Sequence, residues 1–209
     1  MVQMTQIIPT RPTVARRPSN LLLVDYDDPT RDRMAPHQRY NDRPFPHDRF
    51  TPGRGMPHPV KDPRGSMHGG AADAQPVLPP AHWAEQRAYR HGVDLFNAEY
   101  FWEAHEAWEA LWRDAADPAQ KLFLHALIQL AAALLKRRMG NGRGTAILAG
   151  KALLKLRRVS LLENLRGGDL YMGADVSGIV QRLERGLWPL PETGVGGGAA
   201  PLFLDLPLP

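Results

Sequence analysis

Residues 96–113 read FNAEYFWEAHEAWEALWR, and the reading of this stretch decides the fold. Six of its eighteen residues are aromatic and four are glutamates, in a chain that is 8% aromatic overall, and a single histidine, His105, stands among them. At 100° per residue, Phe101, His105, Trp108 and Trp112 fall within about 60° of one another, which makes an inward helical face. Glu99, Glu103 and Glu106 lie on the opposite flank, with Trp102 and Glu109 on the border beside His105. The spacing predicts a helix from about Tyr100 to Asp114, with Asn97 capping the helix before it.

Working outward, Pro79 and Pro80 precede AHWAEQRAYRHGVDLFN (81–97), a helix whose buried side is Trp83, Tyr89, Val93 and Phe96. Downstream, AADP (115–118) is a loop in which Asp117 caps a third helix and Pro118 takes its first position. That helix, 118–139, is apolar almost all round and belongs at the centre of a bundle. GNGRG (140–144) breaks it. Thr145 then caps a fourth helix to about Leu165, with Ile147, Leu148, Leu153, Leu154 and Leu161 expected to face inward. A glycine-bearing loop follows, and Asp175 or Ser177 begins a short fifth helix ending near Leu187. No strand pattern interrupts 81–188. The expectation is an all-α domain over 80–190, a compact bundle of about five helices large enough for one core.

The flanks read differently. Fourteen of the 20 prolines lie before Ala81, and residues 1–79 hold no glutamate. Neither helix nor strand period can run there, so 1–79 is expected to be a disordered Pro/Arg/Asp-rich tail. LLLVDY (21–26) is a short docking candidate inside it, and its widely spaced histidines are solvated rather than a metal tract. Residues 191–209 are expected to be a flexible Gly/Pro-rich tail, whose final PLFLDLPLP is apolar enough to fold back on the body or bind a partner. The absence of cysteine excludes disulfides, thiolate zinc sites and cysteine nucleophiles. No uninterrupted apolar run approaches the roughly 20 residues of a bilayer span, and no signal-peptide core is present. These features suit a cytoplasmic protein without a membrane partner.

One polar constellation is worth testing as a site. His125 and Gln129 share a face inside the most apolar helix, where an unpartnered polar group costs about 1–3 kcal/mol. If the second and third helices pack antiparallel, His105 and Glu109 are the groups placed to meet them. The candidate ligand-binding set is therefore Trp102, His105, Glu106, Glu109, Trp112, His125 and Gln129. Three readings stay open: a satisfied network fixing helix register, a small-molecule pocket with aromatic walls, and a metal site. HEAWE (105–109) lacks the second histidine of HExxH, and no Glu-x-x-His pair exists, so no metal and no other cofactor is expected. Acid/base catalysis by His105 and Glu109 is the enzymatic alternative.

Charge divides the body. Seven acids and one base lie between Asp94 and Asp117, against ten bases and one acid between Lys121 and Arg166. The net charge of +4 and pI near 9.6 allow a basic surface for nucleic acid, but no aromatics interleave with the bases. Intramolecular complementarity is the preferred account. GNGRGT departs from the P-loop and dinucleotide patterns and reads as a helix–helix turn.

The runs GVDLFNAEYFWEAHEAWEALWR, LIQLAAALLK and GNGRGT resemble the all-helical bacterial and plastid family DUF309. The resemblance rests on Gly92, Phe96, Asn97, Tyr100, Phe101, Glu103, His105, Glu106, Glu109 and Trp112, then on Leu127, Ile128, Gln129 and Ala131, then on Gly140, Asn141 and Gly144. Glu99 stands where that family often has glycine, Ala126 replaces a glycine, Lys136 stands where histidine is frequent, and Thr145 replaces alanine. The resemblance implies a compact helical bundle and no established activity. A tetratricopeptide-like pair is the structural alternative, with one repeat visible where a solenoid needs about three.

Overall fold

The computed structural model describes residues 39–69, 76–165, 167–187, Leu204 and Leu206. Among them are five α-helices and no strand: α1 (Arg87–Asn97), α2 (Phe101–Asp114), α3 (Pro118–Arg138), α4 (Gly142–Leu162) and α5 (Val176–Arg182). A short 3-10 turn, Pro80–His82, precedes α1, and a π-helical turn, Leu183–Leu187, follows α5. The helices pack in sequence, α1 on α2, α2 on α3 and α3 on α4, as short connections require.

The connections follow from local chemistry. Asp117 accepts the backbone N–H of Gln120 at 2.6 Å and Pro118 opens α3, as the AADP reading predicts. Asn141, rather than Thr145, caps α4 by accepting from the Gly144 N–H at 2.8 Å, so the helix begins four residues earlier than expected. Asp175 caps α5 through the Gly178 N–H.

Central α3 buries residues from Ala119 to Leu135 on nearly every side, including Phe123, Leu124, Leu127, Leu130 and Ala131. By length and composition it could cross a bilayer, although His125 and Gln129 interrupt its apolar run. Here it is mostly wrapped by protein.

Two expectations are corrected. Helix α4 buries Thr145, Ala149, Ala152, Leu156 and Val159, while Ile147, Leu154 and Leu161 are exposed. The buried set recurs every three or four residues and is rich in small side chains, which form a seam against α3; the larger leucines lie off that seam. The second correction concerns the region 1–79. Residues 39–69 form a strap seated on α1 and α2: Tyr40 and Phe50 are buried, Phe45 stacks on Tyr100 at 5.2 Å, and Phe50 meets Trp102 edge-on at 5.3 Å. Its regularity lies in aromatic anchors and hydrogen bonds, not in a periodic pattern. The tail expected over 191–209 is likewise anchored at Leu204 and Leu206, both buried. Residues 1–38, including LLLVDY and His37, lie outside the described residues, as does most of 188–209.

Candidate functional site

Helix α2 carries the candidate site, and its position is fixed on two sides. Toward α1, Trp108 is fully buried and donates its indole N–H to the Tyr89 carbonyl at 3.2 Å. Gly92 leaves the room for that ring, since a Cβ there would collide with the indole. Toward the strap, Glu103 is buried, not on an exposed flank as its helical angle suggested, and its Oε1 accepts the Phe50 N–H at 2.9 Å. Burial pushes the Glu103 carboxyl above the ordinary carboxylate range, opposed by that hydrogen bond and by the charges of Arg138 and Arg49. Asp94 behaves alike: burial raises it, and its Oδ1 accepts the Tyr40 N–H at 2.8 Å.

The expected cluster of seven residues divides into three. Trp102 belongs to the strap interface, in edge contact with Phe50 and His58. Trp112 lies 5.0 Å from the His125 ring, between centroids. Gln129 donates to Nε2 of His125 at 3.3 Å and accepts from Lys155 Nζ at 3.0 Å. Burial first, and the Lys155 charge second, hold His125 below the usual histidine range, which matches a neutral ring accepting from the amide. Burial also lowers Lys155, with the neighbouring Lys151 charge adding to it. Lys155 was missed from sequence because its helix was expected to turn other residues inward.

His105, Glu106 and Glu109 form the third group. His105 Nδ1 lies 3.4 Å from Glu106 Oε1 and 3.7 Å from Glu109 Oε2, the second pair one helical turn apart. Nδ1 is shielded from solvent and makes no hydrogen bond, although all three side chains are partly exposed. One ligating atom from each residue falls within 4.8 Å of the others, a spacing able to surround a metal ion. The i, i+1, i+4 arrangement escaped the motif reading because HExxH and Glu-x-x-His both demand a second histidine or a second helix. No hydrogen bond or ion pair joins this group to His125 or Gln129, so the expected network across α2 and α3 is not formed.

The family model described as Domain of unknown function (DUF309) matches residues 89–148, from α1 through α2 and α3 into α4. Over that span the chain is similar to DUF309. The matched span contains His105, Glu106, Glu109, Trp112, His125 and Gln129, whereas the strap and Lys155 lie outside it. No curated protein matches the chain. That similarity brings no activity with it.

Proposed function

We propose that this helical domain is a ligand-binding module whose site is the His105, Glu106 and Glu109 turn of α2, and that its ligand is a divalent cation, alone or carried by a small molecule. The observation behind this reading is the shielded His105 Nδ1, which faces two carboxylates at distances too long for good hydrogen bonds. A cation between the three would satisfy all of them. One imidazole and two carboxylates suit a borderline or hard divalent ion such as Zn2+ or Mn2+, and three protein ligands leave positions for water or a ligand oxygen. The Trp112, His125, Gln129 and Lys155 group fits a ligand site less well. Its amide already donates to one neighbour and accepts from another.

Isothermal titration with Zn2+ and with Mn2+ tests the proposal. Wild-type protein should take up one ion, and Glu109→Gln should weaken uptake by at least about tenfold without shifting the melting curve of the metal-free protein. No uptake by the wild type, or undiminished uptake by the variant, would sink the idea.

A further inference from the structure

Helix α4 presents a second surface, independent of the site on α2. Ile147, Leu154 and Leu161 stand at seven-residue intervals and are 48%, 65% and 71% exposed. At 100° per residue they project along nearly one line. Lys151 and Arg158 flank that line on one side and Arg143 and Arg157 lie along its other edge, all exposed and all within a sector of about 120°. Arg157 is paired with Glu184, but Arg143, Lys151 and Arg158 form no ion pair among the described residues. No acid of α4 falls in the sector. Leu162, 43% exposed, widens the apolar end.

A row of three exposed aliphatics that no described residue covers is unusual unless something else covers it. Charge and spacing select the occupant. A second copy packed symmetrically on this face would set cation against cation. A partner helix would need a second apolar row between the first, yet Gly150 and Arg157 occupy those positions. A nucleic acid would meet aliphatic side chains where phosphate contacts should lie. An anionic lipid surface matches every part: aliphatic side chains enter the acyl boundary while arginine and lysine on both edges reach up to the headgroups. We infer that the exposed face of α4 is a docking surface for anionic membrane lipid, lying parallel to the bilayer plane without spanning it.

Vesicle co-sedimentation of the full chain tests this. Phosphatidylcholine vesicles with about a third phosphatidylglycerol should pull down the wild type, and pure phosphatidylcholine vesicles should not. Leu154→Ser with Leu161→Ser, and separately Lys151→Glu with Arg158→Glu, should each lower the bound fraction by at least about tenfold, and high salt should release the wild type. All four positions are exposed, so the variants should keep the wild-type melting curve. Failure of the wild type to bind anionic vesicles overturns the inference, as does equal binding by either double variant. Salt-sensitive binding to an oligonucleotide or to an acidic amphipathic peptide, with no vesicle binding, overturns it in favour of that partner.

Discussion

Glu99 holds a backbone φ of 64°, in the left-handed region that favours glycine. For other residues that conformation costs about 1–2 kcal/mol. Arg138 offsets the cost, donating to the Glu99 carbonyl at 2.9 Å and to its carboxylate at 3.0 Å while its guanidinium covers the Phe101 ring. The departure from glycine noted in the sequence thus coincides with a buried arginine that gives the glutamate a role. Gly92 is the opposite case, since nothing larger fits under Trp108. Gly92→Ala should therefore destabilise the domain by about 1–3 kcal/mol, read as a lower denaturant midpoint with an unchanged slope. An unaltered midpoint would mean that α1 can shift away from α2 freely.

At the scale of elements, the strap is held by two carboxylates whose pKa values are raised. A carboxyl with a folded-state pKa above its unfolded value contributes stability that is fully present below the unfolded pKa and lost as pH rises through the folded one. Glu103 and Asp94 both have this sign. Stability should accordingly fall as pH rises through the mildly acidic range, and Glu103→Gln, which keeps an acceptor for the Phe50 N–H, should flatten that slope. Denaturant titrations at a series of pH values measure it, and an equally steep slope in the variant would exclude Glu103 as the source.

The helices themselves were legible. Asp117 and Pro118 announce α3, and the apolar character of LFLHALIQLAAALL places it centrally. The inward face of α4 was not, because Ala149 and Ala152 are buried where leucines were expected: burial in a close helix pair follows size as well as hydrophobicity. Nor was the strap, since extended chain anchored by Tyr40, Phe45 and Phe50 has no period to read. Of the candidate site, the nearness of His105 and Glu109 follows from their one-turn spacing, whereas the separation of His125 depends on Lys155, a partner that no spacing rule on α2 or α3 could supply.

At the scale of the whole molecule, α1 is gripped from both flanks of the chain. Asn97 donates to the Leu204 carbonyl at 3.0 Å and accepts the Leu204 N–H at 2.9 Å, and Tyr40 Oη accepts the Leu206 N–H at 3.0 Å. Asn97, expected only to cap a helix, forms a two-bond clamp for a distant backbone. Asn97→Ala should leave buried backbone groups without partners at a cost of about 1–3 kcal/mol. Hydrogen exchange at the Leu204 amide should accelerate by at least about tenfold while α3 amides stay protected in the free protein. Unchanged protection at Leu204 would show that apolar burial alone holds the segment.

The same clamp sets an order of events in synthesis. Neighbouring helices can pair soon after they are made, since their contacts are local. The Asn97 clamp spans 107 residues and the Tyr40 contact spans 166. A chain emerging from the ribosome therefore reaches a helical bundle first and must wait for Leu204 and Leu206 before the Asn97 end of α1 is covered. Until then the apolar surface around Asn97 is open, and that interval is when the nascent chain is most exposed to chaperones and to aggregation.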